Sequence, residues 1–320
     1  MASSILANDP IPGHAECDSS LHAPTGSATA NGTFGELLQG ALPGADSDDT
    51  RFLVTLPVAY WSLARFSSCP ALSEVRAGPG MRTKSAALAN LILRDLDAPP
   101  GGHLHFGGTI PVGKGLASSS ADMVATARAV TAAWGAELPG DRLGELMAQI
   151  EPTDGVQHSG VVAYRHRTGQ LLTHLGHLPN LVVVALDEGG HLDTVTYNRR
   201  PVAFSAQQRA EYAELLDTLT RAVTALDLRT IGAVATRSAE LNQRLLPRRH
   251  FAALQDVCLC NEALGLVTCH SGTMLGILLD PEQPGHAERL TRVVNQAQPL
   301  GEQVRIIRTL PADIAPRSVY

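Results

Sequence analysis

The stretch Gly107-Gly108-Thr109-Ile110-Pro111-Val112-Gly113-Lys114-Gly115-Leu116-Ala117-Ser118-Ser119-Ser120-Ala121 constrains this chain more than any other. Gly113 and Gly115 permit backbone angles closed to other residues, and they let the main chain come close to a ligand. Three serines follow where a helix begins, and an Ala-rich run with few bulky side chains continues to Ala133. A helix start presents unsatisfied N–H donors and the positive end of a dipole, so it is an anion site. Lys114 adds a charge within reach of such an anion. The small side chains behind the loop allow close packing and hold it rigid. The plain alternative is a Gly-rich turn with a serine N-cap.

Gly108 to Lys114 also has the Walker A spacing, with four residues between the glycines and then Lys. That motif needs a Ser or Thr next, to hold magnesium. Here the next residue is Gly115, so the match fails at the position that matters.

Composition excludes several other classes. Hydrophobic residues make up 44% of the 320 and charged residues only 18%, which rules out a disordered chain. The net charge is −6, from 25 Lys+Arg against 31 Asp+Glu. Arg199-Arg200 and Arg248-Arg249-His250 are too short for the basic stripe that phosphate-backbone binding requires. Nucleic acid is therefore not an expected partner, and both basic pairs read as solvated faces. The longest aliphatic run, Leu181-Val182-Val183-Val184-Ala185-Leu186, is far short of a membrane span. The first 22 residues lack a basic start followed by an apolar stretch, so no signal peptide is expected. Five cysteines do not make a disulfide framework. A reducing cytoplasm fits best, with no membrane partner.

Along the chain, residues 1–24 read as a frayed arm. Strand-like runs follow at Phe52–Leu56, Ala59–Ala64 and His103–Phe106, and helical periods at Thr83–Leu96, Ser118–Ala133 and Asp141–Ile150. Leu181–Leu186 begins a second series, with helices at Glu211–Leu226, Thr230–Leu245, His250–Ala263 and Ala287–Val294. Leu275–Leu279 and Val304–Ile307 read as its further strands. The mixture is α+β, with a lobe boundary expected at residues 175–180.

Pro111-x-x-x-Gly115-Leu116-x-Ser118-Ser119-Ser120 resembles the second, ATP-binding motif of the GHMP kinases, named for galactokinase, homoserine, mevalonate and phosphomevalonate kinases. Asn31-Gly32-Thr33-Phe34-Gly35-Glu36-Leu37-Leu38-Gln39-Gly40 resembles their first motif. His270-Ser271-Gly272-Thr273-Met274-Leu275-Gly276 resembles the Gly-rich third. Within the family the chain is most similar to the L-threonine kinases of cobalamin assembly. That likeness rests on Gly35–Gly40, Glu151-Pro152-Thr153-Asp154-Gly155, Asp193-Thr194-Val195-Thr196-Tyr197-Asn198 and Arg237–Gln243. Phe34 stands where those enzymes usually carry Cys, and the first motif lacks the Lys of mevalonate kinases.

The resemblance implies a two-lobe fold: a ribosomal protein S5 domain 2-like N-terminal lobe over residues 25–177 and a ferredoxin-like C-terminal lobe over residues 178–320. It also implies transfer of the γ-phosphoryl group of ATP to the hydroxyl of a small molecule, L-threonine first, giving O-phospho-L-threonine. Pro111, Gly113, Lys114, Gly115, Leu116, Ser118, Ser119 and Ser120 would hold ATP, with backbone amides as the main donors. Ser119 would face Mg2+, with Glu145 completing the metal site and Glu151 as the alternative. Asp154 would be the catalytic carboxylate; the bland reading is an Asp-Gly turn. Glu36, Gln39, Asp193, Thr194 and Asn198 would contact the substrate, and Ser271, Gly272 and Thr273 supply the third motif. Arg237 is either a partner for the substrate carboxylate or a solvent-facing helix residue.

Other readings stay open. Homoserine or another hydroxyl metabolite is a second substrate class, and a non-catalytic ligand sensor on the same fold is a third. A homodimer is among the arrangements left open. Cys258-x-Cys260 with Cys269-His270 suggests zinc, but two cysteines one residue apart on a helix point to different faces. His103 and His105 share a strand face without a third ligand nearby in sequence.

Overall fold

The structure, a computed structural model, describes residues 23–44, 50–78, 82–190, 202–312 and 318–319. Nearly all of the expected N-terminal arm lies outside these residues.

The frame is a long antiparallel pair, β1 (Thr25–Ala41) and β2 (Arg51–Ser68). The sequence suggests two short strands for β2 because Pro57 interrupts the pattern. In the structure Pro57 lies opposite Thr33, beside irregularities in the ladder at Asn31/Gly32 and Thr33/Glu36. A proline is tolerated in a strand where the ladder is already broken, so one strand runs through. β1 is equally hard to read, since its glycines and bulges hide the alternation of an ordinary strand.

β4 (Gly102–Gly108) pairs with β2, and β3 (Val75–Ala77) runs parallel to β4. A hairpin of β5 (Val161–Arg165) and β6 (Gln170–Gly176) joins β2 at Leu53 and Val54. The later strands are β7 (Val182–Asp187), β8 (Gly265–Thr268), β9 (Met274–Leu279) and β10 (Gln303–Arg308). They extend the sheet in the order β10-β7-β9-β8-β1-β2-β4-β3, and β11 (Ser318–Val319) adds to β1. The two halves of the sheet meet where Glu36 of β1 pairs with Thr268 of β8.

The helices are α1 (Thr83–Asp95), α2 (Ser118–Ala133), α3 (Gly140–Ala148), α4 (Ala206–Ala225), α5 (Leu228–Asn242), α6 (Phe251–Cys260) and α7 (His286–Ala297). One apolar cluster packs α1 and α2 on the N-terminal strands through Phe66, Leu88, Ile92, Met123, Val124 and Val130. A second spans both halves, from Phe34, Leu38 and Phe52 to Val183, Leu219, Ile231 and Leu278. Phe34 is fully buried there, and a Cβ added at Gly276 would come within 2.5 Å of its ring. The larger residue is thus accommodated by a glycine of the third motif.

Cys258 and Cys269 are buried free thiols, with burial pushing the first up to about 11 and the second to about 12. Cys260 is free and exposed, and Cys69 is disulfide-bonded. No group of three or more His, Cys, Asp or Glu able to hold a metal occurs among the described residues. None of their helices is long and apolar enough to cross a membrane.

Candidate active site

The loop after β4 enters α2 through Ala117, which holds the left-handed conformation (φ 57°) and makes no side-chain cap. The serines therefore occupy the first turn of the helix rather than its cap, and its N–H donors are left for another acceptor. Gly115 (φ 81°) and Gly272 (φ 131°) press together: a Cβ on the first would lie 2.1 Å from the Ser271 carbonyl oxygen, and one on the second 2.4 Å from that of Lys114. Only glycine fits at either place, so the second and third motifs form one surface. Leu116 is buried beneath it, and its carbonyl accepts from the Thr33 N–H at 3.3 Å.

The serine hydroxyls point at carboxylates. Ser119 Oγ donates to Glu151 Oε1, whose other oxygen pairs with Lys84 Nζ. Ser120 Oγ donates to Asp154 Oδ2 at 3.1 Å and accepts from the Asp154 N–H at 3.3 Å. Residues 151–154 reach this position because α3 stops before Pro152, while the Thr153 N–H bonds the His166 carbonyl at 3.0 Å. Burial pushes the Asp154 carboxyl up, the Ser120 hydrogen bond opposes this, and the Glu151 charge adds to it; the result is about 6. Glu36 is 3% exposed, and burial followed by the Asp154 charge raises it well above the usual carboxylate range. Its Oε2 is buried without a hydrogen bond. The bulges flanking Glu36 turn it off the regular alternation of β1, a frequent device beside active sites.

On the opposite flank Lys114 Nζ meets Asp187 Oδ2 at 2.7 Å. Burial would raise Asp187, but bonds from Lys114, the Thr273 hydroxyl (2.6 Å) and the Gly189 N–H (3.0 Å) outweigh it and hold the carboxyl low. The Lys114 charge is thus matched by a carboxylate rather than left open. Arg248, expected on a solvated face, is buried instead: its guanidinium donates to the Gly272 carbonyl at 2.5 Å and the Cys269 carbonyl at 2.8 Å, fixing the third motif. A groove lined by Trp61, Gly107, Gly108, Ile110, Val112 and Ser118 opens beside the helix start.

Several expectations need revision. Glu145 is 61% exposed and pairs with Arg142 at 2.9 Å, so the carboxylate at Ser119 is the alternative, Glu151. Glu145 lies on the outward face of a short helix, whereas Glu151 follows its end. Arg237 also faces outward, bonding Glu211 and Glu240. Gln39 is inside, its Oε1 2.9 Å from His270 Nδ1. Asp193, Thr194 and Asn198 lie outside the described residues. Asp187 and His166 lie outside every motif the sequence offers, whereas Ser238 and Asn242 lie within Arg237–Gln243.

The family model for the GHMP kinases N terminal domain matches residues 83–163, which run from α1 through the loop to β5. An L-threonine kinase of Citrobacter freundii is 28% identical over 253 residues, 77% of this chain and 83% of the relative. One from Salmonella typhimurium is 29% identical over 255 residues, 77% and 80% of the two chains. The chain carries the GHMP kinases N terminal domain and is similar over most of its length to these L-threonine kinases. It is a phosphotransferase with a hydroxyl acceptor. Its fold also matches a homoserine kinase structure from Cytophaga hutchinsonii with a TM-score of 0.69 at 15% identity, covering 92% of this chain and 98% of that chain.

Proposed function

We propose that this protein is a GHMP kinase that phosphorylates the hydroxyl of a free amino acid, L-threonine first, with ATP and Mg2+ in the cytoplasm. The observation that carries the chemistry is Asp154, a carboxylate raised to about 6 and fastened to Ser120 in the first turn of the helix behind the phosphate loop. The substrate is supported by the two L-threonine kinases, each matched over four fifths or more of its length.

The triphosphate would lie against the loop from Gly113 to Gly115 and the uncapped N–H groups of α2, with the nucleoside in the groove beside Trp61. Ser119 and Glu151 offer a hydroxyl and a carboxylate side by side, the hard oxygen donors magnesium prefers. Two protein ligands suit an ion that takes its other ligands from phosphates and water. Magnesium would supply neutralisation of charge on the transferring group. Asp154 orients the acceptor hydroxyl and takes its proton as oxygen bonds to the γ-phosphorus. The bond from that phosphorus to the bridging oxygen breaks, ADP leaves, and the proton passes from Asp154 to solvent. Glu36, a buried carboxyl with a free oxygen, would accept from the substrate ammonium, whose charge would favour its ionised form.

ADP release measured across L-threonine, L-serine, L-homoserine and simple alcohols tests this reading. Threonine should give the highest kcat/KM. A larger value for homoserine would move the assignment to that substrate, and no stimulation by any alcohol would favour a ligand sensor.

A further inference from the structure

Residues 151–160 carry Asp154 yet form neither helix nor strand. A side chain that must hold one position on such a segment needs support from outside its own backbone. Thr153, Gly155 and Val156 are nonetheless buried, so the segment is fixed by its surroundings. Successive residues face opposite ways. Asp154 meets Ser120 of α2, and Val156 joins the apolar cluster that α2 helps to form. Thr153, Gly155 and Gln157 all meet one side chain on the other side, Tyr164 of β5.

Tyr164 is fully buried on the middle strand of three, in register with Leu53 of β2 and Leu171 of β6. Its ring lies against Gly155, where an added Cβ would come within 2.9 Å of Cγ. Its hydroxyl accepts from Gln157 Nε2 at 2.8 Å and lies 3.4 Å from Thr153 Oγ1. The phenol thus touches the residue before Asp154, the residue after it and the third one on. A Cβ on Gly144 would lie 3.0 Å from the same oxygen, so α3 packs directly over it. Burial, helped by the charges of Asp154 and Asp141, raises the phenol above its ordinary value despite the bonds from Thr153 and Gln157. It therefore stays neutral at physiological pH and holds the segment by hydrogen bonds rather than by taking a proton.

We propose that Tyr164 is a positioning residue for the transfer step: through its phenol oxygen it sets the turn that aims Asp154 at the acceptor hydroxyl. The inference rests on the role proposed for Asp154 and deepens it. A tyrosine kept only to fill the core has no need to hold both flanks of one residue. Because the segment alternates, fixing Thr153, Gly155 and Gln157 on one side fixes the direction of Asp154 on the other. A displacement of about 1 Å at a reacting group can cost about 10²-fold in rate, so an oxygen that never meets the substrate can still govern turnover.

The test measures turnover with the best acceptor of the ADP-release panel. Tyr164→Phe keeps the ring against Gly155 and removes only the oxygen. It should lower kcat about 10- to 100-fold while KM for ATP changes less than about 2-fold. Gln157→Met removes the shorter of the two hydroxyl contacts and should lower kcat several-fold. In an Asp154→Asn background Tyr164→Phe should lower kcat no further, because a residue that works through Asp154 then has nothing left to position. Ile92→Val, in the apolar cluster of the same half, should lower Tm comparably and leave kcat unchanged, which separates positioning from lost stability. Wild-type kcat in Tyr164→Phe, or losses that multiply in the double variant, would overturn the inference. Should Tyr164→Phe not fold, wild-type kcat in Gln157→Met overturns it alone. Full activity of Asp154→Asn would instead remove the role proposed for Asp154, and this inference with it, a distinct outcome.

Discussion

Two carboxylates flank the same loop and meet opposite fates. On the Lys114 flank Asp187 receives Lys114, Thr273 and the Gly189 N–H, and its carboxyl is held low. On the Ser120 flank Asp154 receives one serine hydroxyl, has the Glu151 charge nearby, and rises to about 6. Glu36 beside it rises as well. At Asp187 three hydrogen bonds outweigh burial, whereas at Asp154 burial dominates a single opposing bond from Ser120. A paired carboxylate stabilises a fold, whereas one kept short of partners is ready to take a proton. Perturbation of the second kind marks chemistry more often than structure.

The largest expected effect comes from removing the poised carboxylate. Asp154→Asn should lower kcat by about 10²- to 10⁴-fold, the range of a positioned acid–base group, with ATP binding retained. The same substitution should stabilise the protein. Because the folded value lies above the ordinary 3.8, wild-type stability is lost as pH rises through about 6. At pH 8 the variant should therefore be more stable by on the order of 2 kcal/mol, a gain that disappears below about pH 4. Thermal melts at the two pH values check this. Equal melting at both would mean that Asp154 is not strained by its surroundings.

A smaller effect is expected from Glu151→Gln, which removes the like charge beside Asp154 and the partner of Ser119. The acid limb of the kcat/KM profile, set in the wild type near 6, should move to lower pH. The magnesium concentration for half-maximal rate should rise by about 10-fold. An unmoved limb would assign the shift of Asp154 to burial alone.

The smallest effect belongs to the paired flank. Lys114→Met should raise KM for ATP only several-fold, because Lys114 is already matched by Asp187 in the free protein. Its main cost should be structural: Asp187 is left buried with fewer partners, at about 1–3 kcal/mol. A kcat loss approaching that of Asp154→Asn would show that Lys114 leaves Asp187 to act on the transferring phosphoryl group.

The contrast also explains what could be read from the chain. The loop from Gly107 and the helix Ser118–Ala133 are legible because glycine, serine and alanine each have one strong local preference there, and the helix bounds agree residue for residue. β1 is legible only as a motif, since its bulges around Glu36 break the period of two. At Glu145 and Arg237 the sequence shows the charge but not the direction in which the helix residue faces. Arg248 shows the reverse: a basic pair that reads as solvated becomes a buried clamp once the third motif folds beneath it.

The most direct test of the account is phosphorus NMR of the product formed from ATP, magnesium and L-threonine. The account predicts a resonance of O-phospho-L-threonine growing in step with ADP, absent with Asp154→Asn. ADP without phosphothreonine, or phosphothreonine formed at full rate by that variant, would contradict it.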